Sequence, residues 1–250
     1  MKHSDDVMVL GKRSEIFEKL QRDILRLEKF NPAQNAGLDA GLEPMKEAFP
    51  EGRFPVGAVH EFLSARIEDA AATGGFIGGL LASLLRSSGA ALWISSSRTL
   101  FPPALKALGI QPERVVFLDL KKEKDVLWAM DEALKCAALA AVVGELREIS
   151  FTESRRLQLA VENSRVTGFI LRHNTHKPTT TACVSRWKIT ALPSKTVDDL
   201  PGIGFPRWQV DLLRMRNGKP GTWNIQWRDG AFVPDEPVPL VFQDQQQNAG

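Results

Sequence analysis

The chain lacks the features that would mark a secreted, a membrane-spanning or a metal-clustered protein. Its two cysteines, Cys136 and Cys183, give neither a disulfide framework nor a zinc spacing of the C-x-x-C kind. That usage suits a reducing compartment. No stretch approaches the ~18 consecutive apolar residues of a membrane span, and the opening MKHSDDVMVLGKRSE carries acids where a secretory signal has a basic and then an apolar run. A cytoplasmic location is the expectation. Strong charge of either sign is also missing, since a formal net charge of +2 and a pI near 8.6 are too mild to announce nucleic acid. With 43% apolar and 25% charged residues, the 250-residue chain has an ordinary globular composition and can bury one large core or two small ones.

One local absence says more. The stretch from His60 to Leu85, HEFLSARIEDAAATGGFIGGLLASLL, reads as strand, loop and helix, the place where a nucleotide-binding α/β protein puts its phosphate loop. A loop of the form G-x-x-x-x-G-K-[ST] needs glycines for close backbone approach, a lysine against the phosphate charge and a hydroxyl for magnesium. From Ala65 to Ala72 there is no lysine, the only cation is Arg66, and the hydroxyls flanking the stretch are Ser64 and Thr73. The expectation is a degenerate loop that binds no cofactor.

Along the chain, Ser14-Glu15 starts a helix pattern in which Ile16, Phe17, Leu20, Ile24 and Leu27 recur at helical spacing up to Asn31-Pro32. Residues 1–30 therefore form an amphipathic N-terminal helix, and 31–55, rich in Gly, Pro and Ala, read as a linker or a loosely packed approach. A core of 56–233 follows. Strand patterns at Gly57 to Leu63, Ala90 to Ser95, Val115 to Asp119, Ala140 to Gly144 and Val166 to Arg172 alternate with helix patterns at Ala72 to Ser87, Pro102 to Leu108, Glu123 to Ala138 and a helix capped by Thr152. In that last helix Arg155 and Arg156 face outward, with Leu157, Leu159 and Val161 available inward. Such alternation means a mostly parallel central sheet with helices on both faces. Beyond Thr175 the period becomes two, and ACVSRWKITA, WQVDLLRMR and TWNIQWRDG predict closing antiparallel strands. KTVDDLPGIGFP is read as a loop, and 234–250 as a flexible tail with one apolar patch, Val238 to Phe242.

Several constellations bear on chemistry. The fourth strand ends in Glu145, the one acid positioned to serve a metal, but one place later than usual, and a one-residue shift turns a strand side chain to the other face. His173, His176 and Cys183 supply at most three zinc ligands, and a solvated loop is the better account. His60 and Glu61 are adjacent on a strand, so they point to opposite faces, one of them a buried or edge polar group. Near the C-terminus Arg186, Lys188, Arg214, Arg216 and Lys219 interleave with tryptophans and could form a cationic strip for a phosphate backbone; the blander account has the tryptophans in the core and the cations covering the solvent face.

The segments FPVGAVHEFLS, ALWISSSRTLFPPALKALGI, PERVVFLDLKKEKDVLWAMDEALKCAALAAVVGEL, ESRRLQLAVENSRVTGFILR and PRWQVDLLRMRNGKPGTWNIQW, in order from about Phe54 to Arg228, resemble the ImuA family. That resemblance implies an α/β, RecA-like three-layer fold and a role as an accessory protein of error-prone translesion DNA synthesis in the bacterial SOS response to DNA damage. It implies partnership with ImuB, a catalytically defective relative of Y-family polymerases, together with an error-prone DnaE-type polymerase, and RecA as a further contact. RMRNGKPGTWNIQW also resembles the closing hairpin of RecA-like ATPases. Against RecA, Ala71-Ala72-Thr73 stands where the loop ends in G-K-T, and Ser97 lies where the water-activating acid is expected. No enzymatic activity is expected. For partner binding the apolar residues Ile16, Leu20, Ile24 and Leu27 of the N-terminal helix and Leu240 and Phe242 of the tail are the proposed docking elements. Two other readings stay open: an ATP-dependent RecA-like DNA-binding protein using Arg66 as its phosphate contact, and a cell-division inhibitor of the SulA type.

Overall fold

A computed structural model describes residues 42–86, 89–96, 100–173, 178–195 and 204–235. The N-terminal stripe (Ile16, Leu20, Ile24, Leu27), the tail residues Leu240 and Phe242, and Ser97 and His176 lie outside that set. Among the described residues nine strands form one sheet: β1 (Val59–Ser64), β2 (Ala90–Ser95), β3 (Val115–Asp119), β4 (Leu139–Leu146), β5 (Thr167–His173), β6 (Ser185–Lys195), β7 (Phe205–Met215), β8 (Gly221–Arg228) and β9 (Ala231–Pro234). Their spatial order is β3-β2-β4-β5-β1-β6-β7-β8-β9. The first six of these are parallel and the remaining pairings antiparallel.

Among the described residues four α-helices connect the strands: α1 (Ile67–Leu84), α2 (Ala104–Ala107), α3 (Glu123–Ala133) and α4 (Phe151–Ser164). Phe76, Ile77, Leu80 and Leu81 of α1, with Leu105 of α2, pack on the face carrying Phe62, Trp93, Val143, Phe169, Leu171 and Trp187. On the opposite face Val126, Ala129 and Met130 of α3 and Leu157 and Val161 of α4 cover Val59, Leu92, Ile94, Val142 and Ile170. Alternate residues of each parallel strand thus enter two separate cores, and three layers result. This is the RecA-like α/β architecture, including the antiparallel strands at the C-terminal side.

Some local expectations need correction. Helix α4 is capped by Ser150, not Thr152, because only Ser150 has the acid three places on: its Oγ accepts from Glu153 N–H at 3.2 Å while Glu153 Oε2 accepts from Ser150 N–H at 2.8 Å. The Ser150 donors hold the Glu153 carboxyl below its ordinary range. Leu159 points outward at 48% exposure, leaving Leu157 and Val161 as the buried pair. The second half of the stretch read as a linker is packed: two 3-10 turns, Glu43–Ala48 and Pro50–Gly52, bury Leu42, Met45, Ala48, Phe49 and Phe54 in the α1-side core. Single aromatic residues anchor this strap, so no periodicity announces it.

The glycines of α1 serve packing. A Cβ on Gly78 would stand 2.4 Å from Leu108 Cδ1, and one on Gly79 would stand 2.4 Å from Phe232 Cζ and 2.8 Å from Trp227 Cζ3. The Gly79 side meets rigid rings that cannot swing away. Gly79→Val is therefore expected to destabilise the fold by about 2 kcal/mol through overpacking, seen as a lowered urea midpoint. An unchanged midpoint would show that β8 and β9 do not press on α1.

Candidate functional site

Ligands of open α/β sheets bind beyond the carboxyl ends of the parallel strands, so the turn between β1 and α1 is the place to look. Only Ala65 and Arg66 separate Ser64, the last residue of β1, from Ile67, the first of α1. The helix begins five residues before the expected Ala72, because Arg66 to Ala72 forms its first turns and not a loop. Arg66 turns back on that helix, its Nε donating to Asp69 Oδ2 at 3.2 Å and its Nη2 to Oδ1 at 3.1 Å. The side chain of Asp69 is 4% exposed and that of Arg66 63%. This hydrogen bond and the carboxylate charge raise the guanidinium pKa further above its ordinary value.

Thr73 is fully buried, and its single hydroxyl proton goes to the Asp69 carbonyl at 2.7 Å. Ser64 Oγ lies 3.1 Å from Thr73 Oγ1 and must therefore be the donor of that contact. Ser64, Arg66 and Thr73 do come together as the sequence suggested, but through Asp69, which sequence reading missed. Its position in the first helical turn beside an arginine three places earlier was the available signal.

Further along the same edge, Glu145 lies in phase with Val143 and faces the α1 layer. Its Oε1 accepts the Trp93 indole N–H at 2.7 Å, and His173 Nε2 stands 3.2 Å from Oε2. His173 thus serves Glu145, whereas Cys183 sits in the other core with its thiol pushed up to about 12 by burial. The two do not meet as metal ligands. Among the described residues no group of three His, Cys, Asp or Glu side chains could hold a metal ion. Nor is any described helix long and apolar enough to cross a membrane.

His60 and Glu61 do face opposite sides, yet both are completely buried, where only one was expected to be. His60 stacks on Phe54 with ring centroids 4.5 Å apart, its Nε2 donating to the Pro55 carbonyl at 2.7 Å. Burial keeps the ring neutral, so with Nε2 as the donor its Nδ1, 2.6 Å from Ser185 Oγ, is the acceptor, and the side chain ties the strap to β1 and β6. Burial lowers its pKa from 6.5 to about 4. Between those values the unfolded chain takes a proton that the folded chain refuses, so stability rises with pH through the window and is lost as pH falls. Urea titrations at pH 7.5 and pH 5 should differ by about 2 kcal/mol from this group, and His60→Gln should flatten the difference. An equal pH dependence in that variant would remove His60 as its source.

The basic residues of β6 and β7 also have protein partners. Arg186 Nε donates to Glu61 Oε2 at 2.7 Å, Arg214 Nη2 to the carbonyls of Thr181 and Cys183 at 3.2 and 2.8 Å, and Arg216 Nη2 to that of Ala182 at 2.9 Å. These three guanidinium groups pin the segment that enters β6. Lys188 and Lys219 are exposed, and Lys188 lies across from Asp211 in the β6–β7 register. Trp187, Trp208 and Trp227 are buried on the α1 side.

A parallel sheet with this strand order, and a strand-to-helix turn closed on its own Ser, Thr, Asp and Arg, defines a RecA-like α/β protein without the phosphate-loop lysine. No family model matches the chain. Two curated relatives, each called Protein ImuA, come from Caulobacter vibrioides strains NA1000 / CB15N and ATCC 19089 / CIP 103742 / CB 15. Each is 34% identical over 218 residues, covering 82% of this chain and 89% of the relative. The chain belongs to the ImuA family.

Proposed function

We propose that the protein is a non-catalytic, cytoplasmic accessory factor of error-prone translesion synthesis in the bacterial SOS response, acting by binding an ImuB-like partner. An error-prone DnaE-type polymerase belongs to the same complex, and RecA is a further contact. The observation that carries the reading is the closed β1–α1 turn: the Thr73 hydroxyl is committed to Asp69, Arg66 is forked onto the same residue, and residues 64–73 contain no lysine. Phosphoryl transfer depends on a cation, a metal hydroxyl and a positioned acid acting together. Family membership supplies the rest of the argument. Partner contact is assigned to the apolar stripe Ile16, Leu20, Ile24 and Leu27 and to Leu240 and Phe242 of the tail.

Two measurements test this. Calorimetric titration with ATP and magnesium is expected to give no heat of binding, and micromolar affinity abolished by Arg66→Ala would sink the non-catalytic reading. Affinity purification from damaged cells should recover an ImuB-like protein with an error-prone polymerase, whereas recovery of a division protein alone would favour a SulA-like role.

A further inference from the structure

The two ends of the nine-strand sheet are not alike. At one end β9 is four residues long and closes in Pro234, and both devices blunt an edge against further pairing. At the other end β3 reads Val115-Val116-Phe117-Leu118-Asp119, without proline, lysine or bulge, and among the described residues it pairs with β2 alone. Leu120 N–H donates to the Ser95 carbonyl at 2.9 Å, so Val116, Leu118 and Leu120 turn their backbone groups toward β2, and Val115, Phe117 and Asp119 turn theirs outward. The Val115 N–H is taken by the Pro112 carbonyl of the preceding turn. Phe117 keeps both N–H and carbonyl on the open side, where no described backbone group meets them. Its side chain is half-buried against the α1-side core, and those of Val116 and Leu118 are half-buried against the core under α3. β3 is thus an unblunted edge whose apolar side chains are incompletely covered on both faces.

We propose that β3 pairs with β3 of a second copy, antiparallel and centred on Phe117, so that two sheets join across a two-fold axis. The charges around Phe117 commit the edge to this occupant. Glu113 and Lys121, both exposed, stand four residues before and four residues after Phe117. Antiparallel pairing about Phe117 therefore sets Glu113 of each copy across from Lys121 of the other, at both ends of the ribbon. It also sets Val116 across from Leu118 on the α3 side and Phe117 across from Phe117 on the α1 side, covering the half-buried side chains. The outward backbone groups of the two Phe117 residues then exchange a pair of hydrogen bonds. Parallel pairing in the same register would oppose Glu113 to Glu113 and Lys121 to Lys121, which is unfavourable. The edge is self-complementary, as a closed dimer requires. A ribbon of five residues buries less than the ~1,200–2,000 Å² of a standard interface, so the dimer is weak, with a Kd of about 10 µM. The pairing itself does not rest on the adaptor reading. Its consequence does: a dimeric adaptor holds two partner copies at once.

Sedimentation velocity of the full chain at low salt, over roughly 1–200 µM, is expected to show a monomer giving way to a dimer as concentration rises. A monomer throughout that range overturns the proposal. Lys121→Glu and Glu113→Lys, each alone, should weaken the dimer about tenfold, because each sets like charges opposite one another at both ends. Combined in one chain they should restore the starting affinity to within about twofold. Both residues are exposed, so these variants keep the fold. A dimer indifferent to the single reversals, or one that the combined variant fails to restore, overturns the antiparallel register and the proposal with it. Phe117→Pro should weaken association by more than about tenfold, since it removes an outward donor that β2 does not use. Undiminished association in that variant would place the contact on another surface and overturn the proposal; should the variant fail to fold, the charge reversals decide alone. No partner protein enters these measurements, so their outcome is separate from that of the purification above.

Discussion

Glu61→Ala is expected to cost about 4 kcal/mol of folding stability, the loss that follows when one charge is removed from a buried ion cluster and its partners are left behind. Glu61 Oε1 accepts from Arg172 Nη1 at 2.7 Å, and Oε2 accepts from Arg186 Nε at 2.7 Å and from the Thr181 hydroxyl at 2.9 Å. Neither Glu61 nor Arg172 reaches water, their side chains being 0% and 2% exposed, while Arg186 keeps 15%. Without the carboxylate, Arg172 would hold its charge in a dry site where, among the described residues, the Arg147 carbonyl, 3.3 Å from its Nε, is the acceptor left to it. That cost is a large part of the ~5–15 kcal/mol by which a domain is stable. The loss shrinks if the buried partner leaves too. Glu61→Leu combined with Arg172→Met should recover most of the loss, since an apolar replacement of both groups removes the desolvation penalty. Urea midpoints of the single and double variants check the argument, and a loss below ~1 kcal/mol for Glu61→Ala would mean that water reaches the cluster.

This cluster also shows where sequence reading stops. Glu61, Arg172 and Arg186 come from β1, β5 and β6, strands that are neighbours in the sheet but 111 and 125 residues apart along the chain. No local spacing can join them. What periodicity could read, it read well: β2 and β3 occupy the expected Ala90–Ser95 and Val115–Asp119, because short apolar runs between turns have one good solution. The start of α1 was misplaced because Ala65 to Ala72 contains no Ser, Thr or Asn to mark a cap, and the stabilising contact is instead the Arg66–Asp69 fork within the first turn. The missing lysine was visible, whereas the shortness of the turn and the occupation of Thr73 were not. Arg186, Arg214 and Arg216 looked like a strip from their alternation alone, and only the fold reveals that the Glu61 carboxylate receives the first and the carbonyls of Thr181, Cys183 and Ala182 the other two.

The strap at residues 42–54 escaped notice for a different reason, and its role leads to the second large effect. Trp187 is fully buried at the meeting point of Phe49, Phe54, Phe62 and Phe76, with ring centroids 6.0–6.4 Å away and the Phe62 ring inclined by only 11°. Two of those rings belong to the strap, one to β1 and one to α1, so a single side chain joins the strap, the sheet and α1 within one core. Its indole N–H donates to the Ser185 hydroxyl, which in turn donates to His60. Trp187→Ala is expected to destabilise the protein by about 4 kcal/mol, at the upper end for removal of a large core side chain, because the rigid rings around it cannot collapse into the space. Trp187→Phe should cost clearly less, since it keeps most of the apolar contact and loses only the donor to Ser185. If the strap is part of the core, Phe54→Ala and Trp187→Ala will not add: a double-mutant cycle should return a coupling of about 1 kcal/mol, the scale of an aromatic pair. Additivity within ~0.3 kcal/mol would detach the strap from Trp187 and return residues 42–54 to the status of a linker.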